Sequence, residues 1–258
     1  MKFFQLNIFR CSLVITFFVF SACTREIPQL TAKDTDVSSA ATLQVFNATV
    51  KSVRNYVYVD GTPVSGAVFG SGGIFPNTAY GIKLTTGMHS ILIKDTASST
   101  TQVPLTFSQS FDAGKSYTTF TYDTITTIKQ LTVANNIVVP TDTSSRLRLA
   151  NFIYNASAIP NVDVYSFRRI SGMPVFLGGS PVFTGNTPIF SNIVTNVVTD
   201  FIPYPSGLPD TFYVYATGTT SPLIVKAVVP SLVPTRSYTT ALTGSFRGAR
   251  AIGTFATY

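Results

Sequence analysis

The pattern of apolar and polar residues from Leu43 onward is that of short β-strands. Runs of roughly four to eight residues alternate between polar and β-branched or aromatic residues, and Gly, Pro, Asn or Asp ends each run. Such residues fit a pleated, half-buried surface, and no stretch has the 3.6-residue periodicity of an amphipathic helix. The pattern therefore predicts an all-β fold. The clearest runs are NYVYVDG, HSILIKD, SYTTFTYD, LRLANFIYN and TFYVYATG.

The chain also repeats itself in order. VFNAT at 45–49 recurs as IYNAS at 153–157 (offset 108), VYV at 57–59 as VYS at 164–166 (107), and KSYTTFT at 115–121 as RSYTTALT at 236–243 (121). A preserved order with drifting spacing is expected of a duplicated domain whose loops differ in length. We predict two tandem β-sandwiches, immunoglobulin-like or transthyretin-like in size, at residues 43–140 and 146–258.

Residues 1–22 have the outline of a signal peptide. Lys2 and Arg10 precede an apolar run, and the polar residues after Cys23 end that run before the roughly 20 apolar residues that a spanning helix needs. Ser21-Ala22-Cys23 resembles the lipobox of bacterial lipoproteins, which implies cleavage before Cys23 and lipid on its sulfur. Ordinary cleavage after Ala22, leaving an unmodified cysteine, is the alternative.

Cysteine usage agrees with lipidation. Only Cys11 and Cys23 occur, and Cys11 would leave with the signal peptide, so the mature chain could form no internal disulfide. Residues 23–42 are polar and lack periodicity, which predicts a flexible tether behind the lipid. We therefore expect a lipid-anchored protein of the bacterial cell envelope, in the outer membrane, facing either the periplasm or the exterior.

The order of the repeated motifs resembles domain-of-unknown-function family 4397, which is common in bacterial secreted proteins and lipoproteins. The resemblance covers most of 43–258 and implies the duplicated β-fold, but no established activity. The matching positions are Asn47–Thr49, Val57–Gly61 and Ser116–Thr118 in the first copy, and Asn155–Ser157, Val162–Tyr165 and Ser237–Gly244 in the second.

Several motif residues have a structural interpretation. Asp60-Gly61 predicts a hairpin turn, because both residues tolerate positive φ. Asn47 and Asn155 are expected to bond their own backbone at a strand end. Tyr117 and Tyr238 hold equivalent places near the start of a late strand, so we predict tyrosine corners, with a buried ring and a tied hydroxyl.

Catalytic and metal-binding chemistry finds little support. His89 is the only histidine, no GxSxG motif accompanies it, and the aspartates stand singly at turns. We predict an exposed, dispensable His89 at a hairpin entry, no catalytic residues and no cofactor. A zinc site needs three protein ligands, which one imidazole and no usable thiolate cannot supply, so no metal is expected.

Charge excludes one further class of partner. The net charge is +7, but the basic residues are dispersed, so no stripe suited to a nucleic-acid backbone is present. Arg168-Arg169 and Arg247–Arg250 are the local concentrations that the sequence suggests. Nucleic acid is therefore not an expected partner.

Two functions remain after these exclusions. The first is a non-catalytic envelope lipoprotein that serves binding, adhesion or structure through protein contacts. The alternative is a glycan-binding accessory lipoprotein of a polysaccharide uptake system. The chain has no Trp for a sugar platform, so the candidate ligand-binding residues are Tyr80, Tyr204 and Tyr213, which lie in or near predicted loops. No motif identifies which envelope protein or glycan is bound.

Overall fold

A computed structural model describes residues 38–66, 68–77, 81–170, 173–177, 187–229 and 231–257. The predicted signal peptide 1–22, the lipidation residue Cys23 and most of the predicted tether 23–42 lie outside these residues. Within them, no helix has the length and apolar character needed to cross a membrane.

The described residues form strands and no helix, which confirms the all-β prediction. In chain order the strands are β1 (Ala41–Asn47), β2 (Tyr56–Val59), β3 (Thr62–Pro63), β4 (Ile74–Phe75), β5 (Ile82–Leu84), β6 (Gly87–Lys94), β7 (Leu105–Phe111), β8 (Ser116–Tyr122), β9 (Lys129–Ala134), β10 (Ser145–Asn151), β11 (Val162–Ile170), β12 (Met173–Leu177), β13 (Phe190–Ile193), β14 (Val197–Val198), β15 (Ile202–Tyr204), β16 (Asp210–Ala216), β17 (Pro222–Val229), β18 (Ser237–Gly244) and β19 (Arg250–Thr257).

The strands form two sets of two sheets, which we call repeat 1 (β1–β9) and repeat 2 (β10–β19). In repeat 1, sheet I has the order β4-β1-β8-β9 with β5 also on β1, and sheet II has the order β3-β2-β6-β7. In repeat 2, sheet III has the order β14-β10-β18-β19 with β15 also on β10, and sheet IV has the order β12-β11-β16-β17 with β13 also on β11. The two repeats therefore share one topology, except that β13 of sheet IV has no counterpart in sheet II.

Each repeat buries an apolar core between its own two sheets. Along β2 and β6 of sheet II the core residues alternate with half-buried or exposed ones, as the period of two in a sandwich requires. In contrast, β1 of sheet I and all but the last residue of β18 of sheet III are buried at every position. Repeat 1 contributes Leu43 and Val45 from sheet I and Val57, Val59, Ile91 and Ile93 from sheet II. Repeat 2 contributes Leu147 and Leu149 from sheet III and Val162, Val164, Phe212 and Val214 from sheet IV.

The pairing registers define which residues of the two repeats are equivalent. Thr42 pairs with Ser116 in parallel in repeat 1, and Arg146 pairs with Ser237 in repeat 2. The offset is thus 121 for the late strands (237 − 116), as predicted, and 104 for the first strands (146 − 42), not 108.

The predicted equivalence of Asn47 with Asn155 is therefore wrong, and Asn151 is the equivalent residue. Asn47 closes β1 and its Oδ1 accepts the N–H of Thr49 at 3.0 Å. Asn151 closes β10 and its Oδ1 accepts the N–H of Ile153 at 3.4 Å. The error arose because LANFIYN contains two asparagines four residues apart, and only the first lies at the end of the strand.

The hairpin prediction is confirmed. Asp60 and Gly61 have φ of 49° and 78°, and the flanking residues Val59 and Thr62 pair across the turn. Positive φ at both central residues is what a two-residue turn between twisted strands needs.

The tyrosine-corner prediction is confirmed in both repeats. The rings of Tyr117 and Tyr238 are buried. The hydroxyl of Tyr117 accepts the N–H of Asp112 at 3.1 Å, and that of Tyr238 accepts the N–H of Val233 at 3.0 Å. Each tyrosine thus fixes the backbone five residues upstream of itself.

A third apolar cluster joins the two repeats. Sheets I and III face each other through stacked rings: Phe46 lies 5.1 Å from Phe255, and Phe120 lies 4.9 Å from Phe152. No described strand crosses Pro140, since β9 ends at Ala134 and β10 begins at Ser145. The ranges 43–140 and 146–258 remain predictions of the domain limits, although β1 already begins at Ala41.

Candidate functional site

A cleft of about 530 Å³ lies where the end of sheet I meets the edge of sheet III. Repeat 1 supplies one wall and repeat 2 supplies the other, so the cleft depends on how the repeats pack. Its lining combines apolar side chains with nearly as many polar and charged ones. The lining residues are Val133, Ala134, Asn136 and Val138 from repeat 1, and Arg146, Arg148, Val198, Thr199, Asp200, Phe201 and Pro203 from repeat 2.

Arg148 is the central polar residue of this cleft. It lies on β10, between the core residues Leu147 and Leu149, and therefore points from sheet III toward sheet I. Only 3% of its surface is exposed. Its Nε donates to Thr239 Oγ1 at 2.8 Å within repeat 2. Its Nη2 donates across the junction to Asn135 Oδ1 at 2.6 Å and to Thr118 Oγ1 at 3.3 Å.

The guanidinium has no anionic partner among the described residues. Its hydrogen-bond acceptors are two hydroxyls and an amide, and the ring of Phe201 lies 4.7 Å from its Cζ. Burial disfavours the charged form and lowers the pKa of Arg148 to about 10. Arg148 is still a cation at neutral pH, and a buried cation without a counter-ion is costly.

One nitrogen of Arg148 remains available to a ligand. Nε and Nη2 make the hydrogen bonds described above, whereas Nη1 has no partner among the described residues. In the described part of the chain, the fully enclosed side-chain polar atoms that lack a hydrogen bond are Gln44 Oε1 and Ser237 Oγ. Nη1 is not one of them, so it is not fully enclosed. The Nη1 group therefore keeps access to the cleft.

The equivalent position in repeat 1 is neutral. Gln44 is 104 residues before Arg148, and it reaches across the junction in the same manner, donating from Nε2 to Ala256 O at 3.3 Å. Phe255 and Phe46 stack on that side of the junction, whereas their equivalents on the Arg148 side are Val133 and Ala150. The smaller side chains leave room, and the cleft opens at Val133.

The candidate tyrosines have different outcomes. Tyr80 lies outside the described residues. Tyr204 is predicted in or near a loop as a ligand-binding residue, but it ends β15 with only 2% of its surface exposed, and its hydroxyl donates to the buried Asp210 at 2.6 Å. That position cannot serve as a surface platform, so the prediction for Tyr204 is wrong. The run IPY pairs with β10 and carries the ring into the core of repeat 2.

Tyr213 lies on the outer face of sheet IV, half-buried and paired in register with Tyr165. The rings on this face meet edge to face: Tyr165 and Tyr215 at 86° and 5.5 Å, Phe167 and Tyr213 at 88° and 6.5 Å. These rings are close together, but they are perpendicular and form no flat surface.

His89 is buried, contrary to the predicted exposed position. Only 8% of its surface is exposed, because β6 carries it inward beside Phe111. Nδ1 lies 2.6 Å from Asp60 Oδ2, and Nε2 lies 2.9 Å from the carbonyl oxygen of Thr85. Burial opposes protonation, but the hydrogen bonds to Asp60 and Thr85 outweigh it and raise the pKa of His89 above its usual value.

This arrangement has the outline of a Thr-His-Asp triad, with Thr85 Oγ1 3.2 Å from His89 Nε2. However, both ring nitrogens face acceptor oxygens, so both carry protons in the favoured form. Nε2 then cannot take the Thr85 proton, as a general base would have to do. Within the described residues, no cluster of three or more His, Cys, Asp or Glu could hold a metal.

Sequence reasoning missed Arg148. The alternation in SRLRLAN places Arg146 and Arg148 on the face opposite the core leucines, where a solvent-exposed charge is the ordinary expectation. Only the packing of sheet III on sheet I turns that face inward. The signal that could have found it is the match with Gln44, an uncharged residue at the same strand position.

No protein-family model and no curated protein sequence matches the chain. The chain is similar to solved structures at low identity. These include a family 26 carbohydrate-binding module of Eubacterium rectale Amy13K in complex with maltoheptaose (14% identity, 83% of this chain and 96% of that chain, TM-score 0.28). A non-hemolytic pneumolysin of Streptococcus pneumoniae strain ST306 matches at 10% identity over 66% of this chain and 39% of that chain, with a TM-score of 0.26. A Bacteroides eggerthii protein whose proposed role is cell adhesion matches at 12% identity over 84% of this chain and 94% of that chain, with a TM-score of 0.21. TM-scores below 0.3 carry no information on the function of this chain.

Proposed function

We propose that this protein is a non-catalytic binding module of the bacterial cell envelope, held at the membrane by lipid on Cys23, and that it binds a partner protein at the cleft between the repeats. The signal-like N-terminus motivates the location. The buried, uncompensated Arg148 at an open cleft is the observation that supports the binding site. A neutral side chain is sufficient to hold the two repeats together at this strand position, since repeat 1 has Gln44 there.

The location is tested by Cys23→Ala in the full-length chain. Without the sulfur there is no acceptor for lipid, so the variant should leave the membrane fraction and appear in the soluble envelope fraction. Mass spectrometry of the N-terminal peptide identifies the modification directly. A variant that is cleaved and retained in membranes like the parent would contradict the anchor.

The binding site is tested by site-specific photo-crosslinking of the anchored, full-length protein in its own envelope. Benzoylphenylalanine replaces Val138, which lines the cleft and is 67% exposed, or Val53, which is 79% exposed and does not line it. We expect a discrete crosslinked protein from position 138, absent from position 53 and lost when Arg148→Gln is added. Crosslinks that survive Arg148→Gln, or that form equally at both positions, would contradict a site at the cleft.

The tyrosines on the outer face of sheet IV support glycan binding as a second candidate function. Aromatic faces are the usual contacts for sugar rings, and Tyr165 and Tyr213 lie side by side there. The perpendicular geometry of this cluster argues against a flat sugar platform. Tyr213→Ala should leave binding to a panel of envelope polysaccharides unchanged, and loss of one specific interaction would favour the glycan function.

A further inference from the structure

Resting on this proposed function, we infer that the cleft takes a singly charged carboxylate attached to an apolar body. The occupant's carboxylate meets Nη1 of Arg148, and its apolar part lies along the valine and phenylalanine walls. The charge of the site, its remaining donors and its lining each support this class of ligand.

The charges at the cleft favour a monoanion. Arg146 and Arg148 are the cations of the lining, and Asp200 is its anion. The pKa of the nearby Asp142 is lowered mainly by hydrogen bonds from Ser144 and also by the charge of Arg146. Arg146 therefore already has a carboxylate close to it. Arg148 is therefore the cation that most needs a counter-charge. A dianion would add repulsion from Asp200 without a second uncompensated cation to offset it.

The remaining donors favour a small planar anion. A guanidinium has five N–H groups, and three of them are used by Thr239, Asn135 and Thr118. The two N–H groups on Nη1 suffice for a carboxylate oxygen in a charge-assisted hydrogen bond. A phosphate carries more acceptor oxygens than the two N–H groups of Nη1 can satisfy on their own. The cleft thus matches a carboxylate better than a tetrahedral dianion.

The lining requires that the carboxylate carry an apolar body. Val133, Val138, Val198 and Pro203 line the walls, and Phe201 covers one face of the guanidinium. A cavity of about 530 Å³ is far larger than an acetate ion, and apolar walls gain nothing from holding water. Two sources share this chemistry: the C-terminal residue of a partner polypeptide, and a free aliphatic acid.

The test is a series of matched probes titrated into the purified protein by calorimetry. Hexanoate and hexanamide have the same body with and without charge, and N-acetyl-leucine and N-acetyl-leucinamide form the corresponding peptide pair. Hexyl phosphate supplies a dianion, and acetate lacks the body. We expect each carboxylate to bind at least about tenfold more tightly than its amide, and more tightly than acetate or hexyl phosphate. Tighter binding of N-acetyl-leucine than hexanoate identifies a polypeptide terminus, and the reverse order identifies a free acid.

Arg148→Gln is the matched variant, because the chain already carries glutamine at the equivalent junction position. Asn135 Oδ1 still accepts from Thr118, and Thr239 still bonds Thr257, so the change leaves these groups satisfied. The variant should bind carboxylate and amide equally weakly. Val53→Ala, at an exposed position that does not line the cleft, should bind as the parent does.

Several results would overturn the inference. These are equal binding of acid and amide, tighter binding of hexyl phosphate, unchanged binding by Arg148→Gln, or no binding of any probe by the native protein. The native titrations need no variant, so they decide the matter even if Arg148→Gln fails to fold. Crosslinking at Val138 that persists alongside a failed titration would leave the protein-binding site standing and refute only the carboxylate.

Discussion

Replacing Phe152 with alanine should weaken the coupling between the two repeats. The ring follows β10, is almost completely buried, and stacks on two rings of repeat 1: Phe120 at 4.9 Å and Tyr122 at 5.2 Å. It contributes to the junction cluster and to neither of the two sandwich cores. Its removal therefore leaves each repeat's own core intact.

The expected cost follows from this burial. Truncation of a buried phenylalanine costs about 3 to 5 kcal/mol, through lost transfer energy and the cavity left behind. The two ring contacts, each worth about 0.5 to 1.5 kcal/mol beyond area, place Phe152 toward the upper part of that range. Because the loss falls on the contact between repeats, it should appear as a loss of cooperativity as well as of stability.

The assay is urea unfolding followed by tyrosine fluorescence and circular dichroism, since the chain has no Trp. Residues 37–258 form one compact unit, so the parent should unfold in one transition. Phe152→Ala should unfold in two. Phe212→Ala, which removes an equally buried ring from the core of repeat 2, should lower the midpoint but keep one transition. A single transition for Phe152→Ala with a loss below about 1 kcal/mol would refute this account of the junction.

Two further predictions concern single positions. Folding raises the pKa of His89, so the stability that its protonation contributes is fully present below about pH 6.5 and is lost as the pH rises through the folded-state pKa. Chemical unfolding across pH 5 to 9 should show this decline in the parent and not in His89→Gln. Gly244 has a φ of 93°, and an added Cβ would collide with the carbonyl oxygen of Ala249, so Gly244→Ala should lower the melting temperature markedly. The control Gly253→Ala should leave the melting temperature unchanged, because its Cβ would contact no atom.

Local patterns along the chain were sufficient to predict much of the fold. Asp60-Gly61 specifies its own turn through the φ values that the residues tolerate, and Tyr117 and Tyr238 bond a backbone group only five residues away. These features depend on neighbours in sequence. For that reason the β-strands, the hairpin and the tyrosine corners could be predicted without coordinates.

The misses concern residues whose partners are distant in sequence. His89 is buried because Asp60, 29 residues earlier, turns back to meet it. Tyr204 is buried because β15 pairs with β10, about 59 residues away along the chain. Arg148 meets Asn135 only because two sheets face each other. None of these encounters leaves a periodic signal, so exposure predicted from turn-like composition was wrong at His89 and Tyr204.

The duplicated junction also bears on how such a cleft can arise. Two separate copies of one repeat, paired through this face, would form a homodimer in which every substitution appears on both sides of the axis. A charged residue introduced there would be buried twice, and a side chain removed to make space would open two voids. Fusion of the copies into a single chain removes that constraint, because Gln44 and Arg148 can then diverge independently. One side can keep the packing that holds the pair together while the other evolves a recess.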